Sequence, residues 1–135
     1  MTQTDSFKKR EPATMATFFR LLFRGMFYDK RYADSLTLEF DSTYVSKNAM
    51  VQQLYGDSTI RTYDIHVRLN VITCPTLIIA GGEDAVAPGT NEQIHESIRG
   101  SRYVTLPHCG HFPFIEAGEE FFPLVQRFLE AANAK

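Results

Sequence analysis

The sequence contains no tryptophan, only two cysteines and no long apolar run. Cys74 and Cys109 are too few for a small domain held together by disulfides, and neither belongs to a Cys-x-x-Cys pair. The most apolar stretches, 18–28 and 77–80, fall far short of the roughly 20 residues that a membrane-spanning helix needs. We therefore expect a soluble protein of the reducing cytoplasm, with no membrane partner.

The charge is nearly balanced, with 14 basic and 16 acidic residues and a formal net charge of −2. The basic residues form one short cluster at 8–10, so the charged patch that recognises a phosphate backbone is missing and nucleic acid is not an expected partner. Apolar residues make up 44% of the 135 residues, which is typical of a globular protein with the length of one ordinary domain.

Before residue 70 the pattern is helical and rich in aromatic residues. Pro12 can open a helix, and an apolar stripe then recurs at steps of three and four residues. The stripe comprises Phe18, Phe19, Leu22, Phe23, Met26 and Phe27. A second amphipathic helix is predicted from about Ser46 to Tyr55.

After residue 70 the pattern changes to alternating strands and helices. The run 76–80 is short, apolar and unalternating, which is typical of a strand buried on both faces of a parallel sheet. A helix from Thr90 to Gly100 separates it from a second strand at 102–106, and an amphipathic helix containing Pro123 closes the chain. The order is β-α-β-α, so we expect an α/β fold with parallel strands.

Polar residues follow both predicted strands directly, Gly-Gly-Glu-Asp at 81–84 and His-Cys-Gly-His at 108–111. Functional groups of parallel sheets gather at the carboxyl ends of the strands, so a carboxylate and an imidazole should meet there. A carboxylate beside a histidine fixes the tautomer of the ring and makes it an effective base. Three ligands within four residues of one loop would be poor zinc geometry.

Residues 74–88 (CPTLIIAGGEDAVAP) and 109–113 (CGHFP) resemble the C-terminal part of an α/β-hydrolase, over roughly residues 65–132. The resemblance implies that Asp84 is the acid and His111 the base of a catalytic triad, with Glu83 and His108 as the neighbouring rivals. It also implies a division into a helical cap-like segment at 1–65 and a β-α-β-α part of the core at 66–135.

The nucleophile of that family lies on a Gly-x-Ser-x-Gly turn, and this sequence contains none. An oxyanion loop of the His-Gly type is missing as well. We therefore expect part of a hydrolase, a truncated chain or one subunit of a split enzyme, that acts on a small ester or amide substrate and is inactive without its nucleophile half. The alternative is a non-catalytic binding or dimerisation module derived from the same fold.

No cofactor and no metal ion is expected for such chemistry. Two strands are few for this family's sheet, and the strand at 76–80 would present an unpaired edge. We expect this edge to be covered by self-association or by a chain carrying the N-terminal half.

Overall fold

A computed structural model of the protein describes residues 4–44, 47, 50–51, 64–86 and 88–134. The chain forms two compact units, although its length alone suggested one domain. The first unit comprises Met1–Arg24 and Ala33–Asp64, and the second comprises Gly25–Tyr32 and Ile65–Lys135. A parallel sheet organises the second unit, whereas helices and aromatic contacts characterise the first.

The first unit contains helices α1 (Asp5–Lys8) and α2 (Pro12–Arg24). Aromatic rings form its contacts, for example between Phe19 and Phe40, whose centroids are 5.3 Å apart. Residues 42–44, 47 and 50–51 are helical. The rest of the helix predicted at Ser46–Tyr55 lies outside the described residues.

The predicted apolar stripe of the first helix is wrong at its C-terminal end. Helix α2 ends at Arg24, and Gly25 follows, a residue that costs helix stability. Met26 and Phe27 belong to the second unit, where the Phe27 ring is 2% exposed and lies 4.6 Å from that of Phe112. Burial against a distant part of the chain outweighs the helical periodicity here. The identification of residues 1–65 as a cap stays a prediction, but the structure groups 25–32 with the C-terminal unit.

Among the described residues, the second unit carries both strands and four of the α-helices. The 3-10 helix Lys30–Ser35 begins in this unit. The later elements are, in chain order, α3 (His66–Leu69), β1 (Leu77–Gly81), α4 (Thr90–Ser97), β2 (Arg102–Leu106), α5 (Pro113–Glu116) and α6 (Gly118–Asn133). Pro123 lies inside α6, beyond its first turn. No helix of the described chain is long and apolar enough to span a membrane.

Strands β1 and β2 pair in parallel, with Leu77 opposite Arg102 and Gly81 opposite Leu106. Helix α4 connects them, so the predicted βαβ unit and the α/β class are confirmed. Because the strands run in the same direction, their carboxyl ends lie next to each other and the two loops that follow them start side by side.

The open edge of β1, which is the side of the strand that faces away from β2, pairs with no strand of the described chain. The Thr76 carbonyl accepts from Arg102 N, and Gly82 N donates to the Leu106 carbonyl. Since backbone groups alternate along a strand, the even-numbered residues of β1 face β2, and the N–H groups of Leu77 and Ile79 face the open edge.

Two glycines allow the loops after β1 and β2 to approach at backbone distance. A Cβ atom on Gly81 would lie 2.0 Å from the Gly110 carbonyl oxygen, and one on Gly110 would lie 2.3 Å from that of Met26. No side chain fits at either position, so both loops are packed main chain against main chain.

We expect Gly110→Ala to lower the free energy of unfolding by about 1–3 kcal/mol, since the added methyl group must displace main chain rather than a side chain. Gly118→Ala is the matched control. A Cβ atom there meets only the Phe122 ring, at 3.5 Å, and Gly118 is helical. The control should be neutral or slightly stabilising. Urea unfolding monitored by circular dichroism measures both, and equal midpoints for the two variants would contradict the packing argument.

Candidate active site

Asp84 lies on the loop after β1, where its carboxylate is fixed from two sides. Oδ1 accepts from Val86 N at 2.8 Å, and Oδ2 lies 3.0 Å from Nδ1 of His111. The Asp84 side chain is 12% exposed. The hydrogen bond from Val86 N therefore orients the Asp84 carboxylate independently of His111.

His111 lies five residues beyond β2, and its side chain is 42% exposed. A carboxylate accepts hydrogen bonds, so Nδ1 donates to Asp84 and the lone pair of the neutral ring is on Nε2. Within the described chain, Nε2 has no hydrogen-bond partner. The sequence predicted that Asp84 and His111 approach within hydrogen-bonding reach, and the structure brings them there.

The two neighbouring rivals are placed elsewhere. Glu83 is exposed, and its main-chain N–H donates to the Cys109 carbonyl at 2.9 Å. His108 has a positive φ of 53°, and its ring lies 5.5 Å from that of Tyr28. The structure therefore pairs Asp84 with His111 and leaves Glu83 and His108 out of the pair.

Cys109 is fully buried between these residues. Burial raises the pKa of its thiol to about 11, and the charge of Glu116 contributes to the same shift. Such a thiol stays protonated at neutral pH and is a poor nucleophile or metal ligand. The side chains of the described chain contain no group of three metal-ligating residues.

A second histidine lies next to a hydroxyl group, near the amino-terminal end of β2. His95 Nδ1 is 2.7 Å from Oγ of Ser101, which precedes β2. The hydroxyl donates to the His95 carbonyl at 3.2 Å, so this contact fastens the end of α4 to the start of β2. The described hydrogen bonds bring no hydroxyl or thiol to His111 itself.

Sequence reasoning missed the residues that hold the histidine loop. His111 N donates to the Met26 carbonyl at 2.9 Å, and Gly110 N donates to Oε2 of Glu116 at 2.7 Å. The available signal for Glu116 was a carboxylate at the end of a short helix that starts with Pro113, just after the histidine. No local pattern marks Met26, because it contributes a backbone oxygen.

A sequence model of the alpha/beta hydrolase family matches residues 3–124 of the chain. A pimeloyl-(acyl-carrier protein) methyl ester esterase of Nitrosomonas europaea is 34% identical over 67 residues, 49% of this chain and 27% of the esterase. A proline iminopeptidase of Saccharolobus solfataricus is 32% identical over 93 residues, 64% of this chain and 30% of the peptidase.

Solved structures of hydrolases resemble the chain. The CarC enzyme, a serine hydrolase involved in carbazole degradation, superposes with a TM-score of 0.68 and 24% identity, covering 82% of this chain and 45% of that one. At this identity the likeness shows the fold alone. The chain spans less than a third of the two curated relatives and less than half of the CarC chain, so its fold is a partial α/β-hydrolase fold.

We expect Asp84→Ala to abolish the preference of neutral His111 for the tautomer protonated at Nδ1, because the only described acceptor at that nitrogen is removed. Glu83→Ala is the matched control, since it removes an adjacent exposed carboxylate and should leave the tautomer unchanged. The 15N chemical shifts of the imidazole, measured by NMR at alkaline pH, report the tautomer directly. An unchanged ring in Asp84→Ala would show that another group orients it.

Proposed function

We propose that this chain, which belongs to the alpha/beta hydrolase family, supplies the acid and the base of a nucleophile-His-Asp triad. His111 would take the proton of the nucleophile at Nε2, and Asp84 would stabilise the imidazolium that forms. The observation that carries the proposal is the 3.0 Å contact between Nδ1 and Oδ2 at the carboxyl edge of the sheet.

The exposure of the two side chains suits these roles. The 12% exposed acid is shielded from competing water, whereas the 42% exposed imidazole presents its other nitrogen outward. A hydroxyl group delivered to that nitrogen would meet an oriented base. The proposed substrate is a small ester or amide, the bond types named for the esterase and peptidase relatives.

The chain has no Gly-x-Ser-x-Gly turn, so the proposal requires the nucleophile and the oxyanion donors to come from another polypeptide segment. Alone, the chain should hydrolyse p-nitrophenyl acetate no faster than free imidazole at the same concentration. A burst of nitrophenol that a fluorophosphonate blocks would contradict this expectation.

A chimera tests the positive half of the same prediction. Residues 25–32 and 65–135, which form the second unit, replace the corresponding segments of the Nitrosomonas europaea esterase, which retains the rest of its own chain. We expect ester hydrolysis that His111→Ala lowers by about a million-fold and Asp84→Asn by about 10⁴-fold, while Glu83→Gln has little effect. A folded chimera without activity, beside an active parent esterase, would reject the acid and base roles.

The non-catalytic alternative is favoured by one observation, the open edge of β1. We propose that a second copy of the chain covers this edge, because its apolar residues and the N–H groups of Leu77 and Ile79, which pair with no described strand, form a template for strand pairing. A separate chain carrying the N-terminal half is the other candidate occupant. An interface that covers the edge and the adjoining faces would bury about 1,200 Å² or more, the lower bound for a stable complex.

Analytical ultracentrifugation at micromolar concentration should therefore show a species of twice the 15.4 kDa chain mass. Ile79→Pro removes an outward N–H and leaves the bonds to β2 intact, so it should shift the population to monomer. A folded, monodisperse wild-type monomer would show that no second copy is needed to cover the open edge of β1. A dimer that Ile79→Pro leaves unchanged would show that another surface mediates association.

A further inference from the structure

Three consecutive residues of the histidine loop are fastened through their main chain. The Cys109 carbonyl accepts from Glu83 N, Gly110 N donates to Glu116, and His111 N donates to Met26. The only side chain among these three partners is the carboxylate of Glu116. It is therefore the one contact whose chemistry a substitution can change without altering the backbone.

The Glu116 carboxylate bridges two segments that are far apart in sequence. Oε2 accepts from Gly110 N at 2.7 Å, and Oε1 accepts from Asp29 N at 2.9 Å. Both donors are main-chain groups, and both bonds are part-buried. A charged acceptor makes hydrogen bonds of this kind roughly twice as strong as neutral ones.

Asp29 and Arg31 pair with each other, so this pair leaves the Glu116 carboxylate to the two amides. The nearby carboxylate of Asp29 is engaged by Arg31, whose Nη2 lies 2.6 Å from Oδ2. That hydrogen bond lowers the pKa of Asp29 to about 2, so Asp29 remains ionised and paired while its amide points to Glu116. The segment at 25–32 thus carries its own Asp29–Arg31 ion pair and is joined to the histidine loop directly at Met26 and, through Glu116, at Asp29.

Gly110 transmits this constraint to the histidine. It is buried and immediately precedes His111, and its α-carbon has no room for a side chain against the Met26 carbonyl. A shift of the Gly110 amide would move the His111 backbone, and the 3.0 Å contact with Asp84 would change with it.

We propose that Glu116 is a positioning residue for His111. By holding the Gly110 and Asp29 amides together, its carboxylate sets the loop in which Nδ1 of the imidazole meets Asp84. The inference rests on the proposed acid and base roles for its functional meaning, but the geometry it describes can be tested without any activity.

The test is NMR on the full 15N-labelled chain in four forms: wild type, Glu116→Ala, Glu116→Gln and the control Glu119→Ala, which removes an exposed carboxylate from the first turn of α6. We expect Glu116→Ala to accelerate hydrogen exchange of the Gly110 and Asp29 amides by about tenfold or more. It should also abolish the preference of neutral His111 for the Nδ1-protonated tautomer. Glu119→Ala should change neither.

Glu116→Gln keeps the shape and one acceptor oxygen, so only one of the two amides should stay protected. This variant decides the matter if Glu116→Ala does not fold. The proposal is overturned if His111 keeps its tautomer in a folded Glu116→Ala chain with both amides exposed to exchange, or in a folded Glu116→Gln chain in which one of the two amides has lost its protection, because Glu116 would then be merely structural. Rapid exchange of both amides in the wild type would overturn it as well. A failure here leaves the activity of the chimera untouched, and an inactive chimera leaves this geometry standing.

Discussion

Gly81 and Leu106 lie opposite each other at the ends of two parallel strands, and this register determines where the loops of Asp84 and His111 begin. Because β1 and β2 stop at the same edge, their loops leave the sheet side by side and bring a carboxylate and an imidazole from positions 27 residues apart to 3.0 Å. A register shifted by one residue would turn the side chains of one strand to the opposite face and separate the loops. Helix α4, which connects the strands, makes the parallel arrangement possible.

The pair is exposed, but the frame beneath it is buried. Ala80, Leu106 and Cys109 are at most 6% exposed, and the loops touch through glycine backbone at Gly81 and Gly110. Nε2 of His111 can therefore face outward while the main chain beneath it is closely packed. The close contacts are made by buried backbone, whereas the two paired side chains lie outside the buried core.

The elements that the sequence predicted well are those with local causes. The strands and the crossover helix follow from short apolar runs and helix boundaries, and the common carboxyl end of two parallel strands predicts that a carboxylate and an imidazole meet. The choice of Asp84 and His111 over Glu83 and His108 came from the resemblance to the α/β-hydrolases. The end of α2 and the role of Glu116 were missed because they depend on contacts across the chain. Phe27 continues a helical period in sequence, yet it is buried against Phe112, and Glu116 bonds an amide 87 residues away. A backbone oxygen such as that of Met26 leaves no trace in residue type at all.

The open edge of β1 also bears on the missing nucleophile. A strand added in parallel to this edge would end beside Gly81, and its own loop would emerge next to Asp84 and His111. A second copy related by two-fold symmetry would instead pair its β1 antiparallel, which places its loops at the far end of the sheet. Such a copy can satisfy Leu77 and Ile79 but cannot deliver a hydroxyl to His111. Since one edge accepts one strand, the self-associated form and the catalytic form would exclude each other, and the occupant of β1 would decide between them.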